Sequence, residues 1–203
     1  ARYLFAAASS GNQIVFAGGV ESSYNRSKTV DIYDVSSNTW KTAQLSEARY
    51  RLAAAAAGNK IIFAGGHGAS PSSKTVDIYD ISTNAWTTAQ LSEGREDLTA
   101  AASGNKIVFA GGSTPGASKT VDIYDVSTNN WTTIQLSEGR SNFAAAATGN
   151  KIGALGDQIA VLDRFRRVVE LCILFHQRSS LEIKKLKLRI QSAITRSWCH
   201  RYG

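Results

Sequence analysis

The side chains that could do acid–base, redox or metal chemistry are few in this sequence and poorly grouped for it. Only three histidines occur in the 203 residues, and His67 alone lies in the first three quarters of the chain. Both cysteines, Cys172 and Cys199, lie in the last quarter. A metal site needs several ligands together, and a Ser-His-acid site needs a histidine beside one activated serine. We therefore predict no catalytic residue, no cofactor site and no metal site, and we expect His67 to be exposed to solvent.

Carboxylates are more numerous, but they recur at the same places in a repeated pattern. Three copies of Val-Asp-Ile-Tyr-Asp supply six of them, namely Asp31, Asp34, Asp77, Asp80, Asp122 and Asp125. Three glutamates, Glu47, Glu93 and Glu138, each precede an arginine by two residues. One active site does not need three copies, so these carboxylates are predicted to build the repeated unit. The second aspartate of each copy, followed by Ser and Asn, is typical of an Asx turn.

The elements around these residues repeat every 45 to 47 residues. Each unit opens with an arginine, continues through an Ala-rich run and a Gly-Asn pair, and reaches a short apolar run that ends in two glycines. A variable loop then leads into Val-Asp-Ile-Tyr-Asp, and a tryptophan closes the unit. Short apolar runs bounded by Gly and Asn are typical of strands joined by tight turns. We predict an all-β fold with four strands per unit; the Gly-Asn pair favours a strand for the Ala-rich run as well.

The Gly-Gly pair, followed by Tyr33, Tyr79 or Tyr124 and by a tryptophan seven positions later, resembles the kelch repeat. The resemblance implies a partial β-propeller of four-stranded antiparallel blades, with the Ala-rich strand innermost and the Trp-bearing strand outermost. We place the repeats at residues 1–47, 48–93 and 94–138, with a partial repeat at 139–152. Some kelch-like propellers are copper oxidases, and that resemblance would imply a site of Tyr, His and Cys side chains. The repeat region cannot assemble such a site, because it contains one histidine and no cysteine.

The pattern fails at residue 153, where Gly-Ala-Leu-Gly replaces the expected Val-Phe-Ala-Gly-Gly. Residues 153–203 carry 10 basic against 4 acidic side chains, whereas residues 1–152 carry 13 against 12. We predict an unrelated basic tail. If it folds, two sets of apolar residues have helical spacing, namely Ile159, Leu162, Phe165, Val169 and Ile173, and Ile183, Leu186, Ile190 and Ile194. Leu186, Leu188 and Ile190 equally fit a strand. The break falls inside a strand, where a true domain boundary is unusual. We therefore favour a frameshift, a misjoined reading frame or a truncated gene, which would make the tail non-native, over an evolved cap. No apolar stretch of the tail reaches the length of a membrane span.

Binding is best sought where the repeats differ from one another, because positions copied in every blade are explained by the blade. The repeats differ in the loop after Gly-Gly and in the connection between blades. In an antiparallel meander these two segments lie at the same end of the sheet, and loops on a rigid scaffold commonly bind partners. The predicted binding face consists of Tyr24, Arg26, Tyr50, Arg51, His67, Glu96, Asp97 and Asn142. Drift in unconstrained loops is the alternative.

The function predicted from these features is a non-enzymatic scaffold that binds a protein, or a glycan, through one propeller face, as part of a larger protein. One alternative is part of a sugar-acting kelch-like enzyme, and another is an incomplete gene product without independent function. The nearly balanced charge of the repeats gives no reason to expect nucleic acid there. Propellers typically close with four to eight blades, whereas these residues supply three repeats and the start of a fourth. Open blade edges would therefore permit self-association. The compartment is left open, since the repeats contain no cysteine that would indicate its redox state.

Overall fold

The structure, a computed structural model, describes residues 1–148, 151–155 and 159–161, which all belong to one compact unit. The first strands are β1 (Arg2–Tyr3), β2 (Ala6–Ser10), β3 (Gln13–Ala17), β4 (Val20–Glu21), β5 (Thr29–Asp34) and β6 (Thr39–Gln44). Next come β7 (Ala53–Ala57), β8 (Lys60–Ala64), β9 (Thr75–Asp80) and β10 (Ala85–Gln90). They are followed by β11 (Thr99–Ser103), β12 (Lys106–Ala110), β13 (Ser113–Thr114), β14 (Gly116–Ala117), β15 (Thr120–Asp125) and β16 (Asn130–Gln135). The last are β17 (Ala144–Thr148), β18 (Lys151–Leu155) and β19 (Ile159–Val161).

These strands form three four-stranded antiparallel sheets and one three-stranded sheet, which we call blades 1 to 4. Blade 1 has the strand order β2-β3-β5-β6, blade 2 β7-β8-β9-β10, and blade 3 β11-β12-β15-β16. Blade 4 comprises β17-β18-β19 in the described residues. Two short ribbons, β1-β4 and β13-β14, lie outside the blades. The predicted all-β fold with four antiparallel strands per repeat is confirmed.

The Ala-rich strands lie side by side at the inner edge of the array. Strand β2 packs against β7, β7 against β11, and β11 against β17. Small alanine side chains allow this close approach, and the tryptophan strands β6, β10 and β16 lie at the opposite edge of each sheet. The predicted order from the innermost Ala-rich strand to the outermost Trp-bearing strand is therefore correct.

Each blade has two chemically different faces, because side chains alternate along a strand. In blade 2 the aromatic face carries Ile61, Phe63, Tyr79 and Trp86, and these residues pack on the aliphatic face of blade 1, which carries Val15, Ala17, Val30 and Ile32. The aliphatic face of blade 2 packs in the same way on Ile107, Phe109, Tyr124 and Trp131 of blade 3. The core therefore consists of successive layers, each formed by the aromatic face of one blade and the aliphatic face of the blade before it.

The aromatic pair at the outer edge is set by strand register. Tyr79 lies opposite Trp86 across the antiparallel pair, with ring centroids 4.8 Å apart. The Tyr79 hydroxyl donates a hydrogen bond to Asn84 Oδ1 at 2.8 Å, and Asn84 takes a left-handed φ of 55° in the turn. Large aromatic side chains ordinarily supply much of the area buried between packed sheets, but Trp40 is 62% exposed. The reason is that no described blade lies against the aromatic face of blade 1.

The arginine that opens each repeat ties its blade together. Arg49 is fully buried and donates from Nη1 to the carbonyl oxygens of Gly65 (2.6 Å) and Thr75 (2.7 Å), and from Nη2 to Asp77. Arg95 makes the equivalent bonds in blade 3 and Arg2 in blade 1. The first aspartate of Val-Asp-Ile-Tyr-Asp thus builds the blade. The second also does so: Asp80 Oδ1 accepts the Ser82 amide hydrogen at 2.9 Å, which is the expected Asx turn.

The Gly-Gly pair joins one blade to the next. The Gly66 amide donates to the Arg95 carbonyl oxygen at 2.8 Å. A Cβ atom on Gly65 would lie 2.5 Å from that same oxygen, and Gly65 has a φ of +67°. Only glycine satisfies both conditions without strain. The Gly-Gly pair therefore permits the close approach of a second backbone.

The pattern break at residue 153 lies within the described strands. Strand β18 spans Lys151–Leu155 and pairs with β17, and β19 pairs with β18. The helical spacing predicted for the basic tail lies almost wholly outside the described residues, as does the rest of that tail. The boundary at 152 and the non-native origin of residues 153–203 remain predictions.

Candidate functional site

The loop after Gly-Gly and the connection between blades meet through backbone hydrogen bonds. In blade 2 the Tyr50 amide donates to the His67 carbonyl oxygen at 3.2 Å, and the His67 amide donates to the Tyr50 carbonyl oxygen at 2.7 Å. Glu96 and Ser113 form the same reciprocal pair in blade 3, at 3.1 and 2.7 Å. These bridges bring the two variable segments to one end of the sheets, which we call the loop face.

A chain of backbone hydrogen bonds crosses the loop face from blade to blade. The Arg51 amide donates to the Leu4 carbonyl oxygen at 3.0 Å, the Asp97 amide to Arg51 at 3.1 Å, and the Asn142 amide to Asp97 at 3.1 Å. All four residues have a left-handed φ between 52° and 55°. This conformation is unfavourable for residues other than glycine, asparagine and aspartate. The inter-blade bonds hold it in place and make the loop face a rigid surface.

Five side chains gather on this backbone in what we call the loop-face cluster: Tyr50, Arg51, His67, Glu96 and Asp97. His67 Nδ1 lies 3.1 Å from Glu96 Oε2, and the Tyr50 and His67 rings lie 5.0 Å apart. Arg51 Nη1 lies 3.3 Å from Asp97 Oδ2 and 3.8 Å from Glu96 Oε2, and its guanidinium sits 5.6 Å from the Tyr50 ring centre. His67 is partly buried by this pairing, so the expectation of a solvent-exposed histidine is wrong.

The loop-face cluster has more acidic than basic side chains, because the Arg51 guanidinium faces the two carboxylates of Glu96 and Asp97. Burial raises the pKa of Asp97 above its ordinary value, Arg51 opposes that increase, and Glu96 adds to it. The Arg51 side chain remains 41% exposed, so it can still donate hydrogen bonds outward. The cluster therefore offers a partner an aromatic ring, a cation and two carboxylates within a few ångströms of each other.

The remaining predicted residues lie outside the cluster. Tyr24 stands at the tip of the turn that follows β4, is 81% exposed and has a φ of 61°. Arg26 donates from Nη1 to the Gly68 carbonyl oxygen, which links the loop of blade 1 to that of blade 2. Asn142 is exposed and joins the loop face through its backbone amide.

Three further residues belong to the same surface but were not among the predicted candidates. Leu4 has the left-handed φ of its counterparts and is exposed. Ser113 pairs with Glu96, and Gly68 accepts the hydrogen bond from Arg26. Leu4 occupies the repeat position of Arg51, Asp97 and Asn142, so aligning the repeats would have found it. The roles of Ser113 and Gly68 depend on loop geometry that no sequence pattern reveals.

The geometry suits recognition through hydrogen bonds and charge. In the described part of the chain, no group of three or more His, Cys, Asp or Glu side chains is arranged to hold a metal ion. Within the same residues no helix is long and apolar enough to cross a membrane.

A protein-family model described as the KLHDC2/KLHL20/DRC7 Kelch-repeats domain matches residues 1–161. A search of the curated proteins finds no match.

Proposed function

Because the chain belongs to the kelch-repeat family, whose repeats form β-propeller blades and generally serve as protein-interaction scaffolds, we propose that it binds a protein partner through the loop face without catalysing a reaction. The observation that carries this proposal is the loop-face cluster. Its residues differ between repeats, whereas the arginine, glycine, tyrosine and tryptophan positions around it are the same in each repeat. Those repeated residues make the contacts that hold the blades together.

The loop face has the properties of a recognition surface. Its backbone is fixed by inter-blade hydrogen bonds, so little conformational entropy is lost when a partner binds. Aromatic and arginine side chains such as Tyr50 and Arg51 are the types that contribute most to binding at protein interfaces. The excess of carboxylates in the cluster favours a partner segment with a basic side chain that reaches Glu96 or Asp97.

The proposal is tested by comparing one variant on the loop face with one matched variant at the opposite end of the blades. Arg51→Ala removes a partly exposed cation from the loop face. Lys106→Ala removes an exposed cation from the opposite end of blade 3, where Lys106 Nζ lies 2.7 Å from Asp125 Oδ2. Both changes remove a surface ion pair and should cost about 1 kcal/mol or less in folding free energy. Similar melting temperatures would show that both variants fold.

The measurement is affinity capture from cell extract with each variant, quantified by mass spectrometry, followed by calorimetry with the purified partner. We expect Arg51→Ala and Tyr50→Ala to weaken partner binding at least about 10-fold, whereas Lys106→Ala leaves it unchanged. Equal losses from Arg51→Ala and Lys106→Ala, or binding that no loop-face change weakens, would contradict the proposal.

A further inference from the structure

One serine in the loop of blade 2 differs from its neighbours in having a free hydroxyl. Ser70 is exposed at the tip of the loop between β8 and β9 and lies outside every described strand. Within the described residues its hydroxyl makes no hydrogen bond. By contrast, Ser72 Oγ donates to the Ser113 carbonyl oxygen at 3.3 Å, and Ser73 Oγ donates to Glu47. Blades 1 and 3, which flank this loop, are both described, so Ser70 is exposed with its neighbours in place.

Ser70 is followed by a proline, which is the pattern that proline-directed protein kinases modify. The sequence has two prolines, and each follows a hydroxyl side chain, in Ser70-Pro71 and Thr114-Pro115. A proline disfavours the helical conformation in the residue before it, and this favours the extended backbone that a kinase binds. Thr114 is less accessible, because it is half-buried and pairs with Gly116 in the β13-β14 ribbon. Of the two pairs, Ser70-Pro71 therefore presents the accessible hydroxyl.

A guanidinium is anchored on the turn that carries Ser70. The Gly68 amide donates to the Ser70 carbonyl oxygen at 3.2 Å, and the Gly68 carbonyl oxygen accepts a hydrogen bond from Arg26 Nη1. Arg26 belongs to the loop of blade 1 and is exposed. Its Nε and Nη2 atoms make no hydrogen bond within the described residues, so they remain free to donate. Because guanidinium binds phosphate oxygens through parallel N–H bonds, Arg26 is placed to pair with a phosphate on Ser70.

We propose that Ser70 is a phosphorylation site for a proline-directed protein kinase and that its phosphate pairs with Arg26. The Ser70 hydroxyl loses its proton to the kinase, Oγ bonds to the γ-phosphorus of ATP, and the bond from that phosphorus to the bridging oxygen breaks, which releases ADP. The phosphate adds about −1.5 to −2 charges. It ties the loop of blade 1 to that of blade 2 and adds negative charge near His67 of the loop-face cluster. The site is tested without a partner; only its effect on partner binding rests on the proposed function.

The first test treats the full 203-residue chain with a purified mitogen-activated protein kinase and ATP, and locates phosphate by mass spectrometry. We expect phosphate on Ser70 and its loss in Ser70→Ala. Pro71→Ala removes the ring that the kinase recognises and should slow the reaction at least about 10-fold. Ser22→Ala, at an exposed serine of the blade 1 loop that no proline follows, is the matched control and should leave the rate unchanged. The absence of phosphate from Ser70, or equal rates for wild type and Pro71→Ala, would overturn the proposal.

The second test measures the pairing with Arg26 by phosphorus-31 NMR of the phosphorylated chain from about pH 4 to about pH 8. A guanidinium beside the phosphate favours its dianionic form. The wild-type phosphate should therefore titrate at least about 0.5 pH unit below that of Arg26→Ala. Lys106→Ala, at the opposite end of blade 3, is the control and should titrate as wild type does. Identical titrations of wild type and Arg26→Ala would overturn the pairing.

Discussion

The buried Arg49–Asp77 pair predicts a large difference between two chemically identical substitutions. Asp77→Asn keeps the shape of the side chain but removes its charge beside a fully buried guanidinium. Asp31→Asn makes the same change beside Arg2 in blade 1, where the carboxylate is more exposed. The arginine in each blade makes the same three hydrogen bonds. The two sites differ in burial and in two neighbours of the Arg49–Asp77 pair, since the Ser46 amide donates to Asp77 Oδ1 at 3.0 Å and Glu47 lies 3.6 Å from Arg49 Nε.

The expected size of the effect follows from the surroundings of each pair. The Arg49 side chain has no exposed surface and that of Asp77 has 3%. Burial lowers the pKa of Arg49, and Asp77 is the stronger of the two carboxylates that oppose this change; Glu47 is the other. Removing one partner of a buried ion pair costs about 3 to 5 kcal/mol, and we expect about 3 kcal/mol for Asp77→Asn because Glu47 remains. A partly exposed pair contributes about 1 kcal/mol or less, which is the expected cost of Asp31→Asn.

Urea unfolding followed by tryptophan fluorescence measures both variants, and thermal melts followed by circular dichroism provide a second readout. For a chain of this size, Asp77→Asn should lower the melting temperature by about 6 to 12 °C and Asp31→Asn by about 4 °C or less. Asp122→Asn should behave as Asp77→Asn does, since Arg95 and Asp122 are equally buried. Equal losses for Asp31→Asn and Asp77→Asn would refute the argument that burial sets the contribution of this pair.

Two further predictions concern the turns. Gly65→Ala should cost about 2 kcal/mol or more, because alanine at a φ of +67° is strained and its Cβ meets the Arg95 carbonyl oxygen; Gly116→Ala, with nothing within 4 Å of its Cβ, is the control, and equal melting temperatures for both variants would contradict the close-approach argument. Hydrogen bonds from Ser82 lead the causes that lower the pKa of Asp80 to about 2, so ionised Asp80 stabilises the fold above about pH 4 and that contribution is lost as the pH falls towards 2. Asp80→Asn should therefore melt below wild type at about pH 6, with a gap that narrows by about pH 2; a gap that does not change with pH would contradict this.

Much of the blade could be predicted from residue spacing, because the blade depends on short-range chemistry. The Gly-Asn hairpin between β7 and β8, the Asx turn at Asp80 and the alternation that separates Val30 from Tyr33 are local features with known backbone requirements. A glycine pair at a strand end indicates either a turn or a backbone that approaches closely, and at Gly65 the second is present. The recurrence of each feature in three repeats made the family resemblance specific.

The candidate site was only partly predictable. Its variable residues could be placed at one end of the blades, but the contact of His67 with Glu96 joins residues 29 positions apart in different blades. The left-handed backbone of Leu4 and Arg51 also has no sequence signature, because both residue types ordinarily avoid it. Inter-blade hydrogen bonds decide these features, and they exist only after the blades have packed.

Residue spacing along the chain was enough to predict the repeat, the strands within it and the residues that build each blade, because turns and strand alternation are fixed by neighbours along the chain. Tertiary structure alone decided which copies of a repeated residue are buried. Trp40 and Trp86 occupy identical places in their repeats, yet one is largely exposed and the other packs against blade 1. The physical reason is that burial depends on the blade alongside, and the position of that blade is not encoded in the repeat itself.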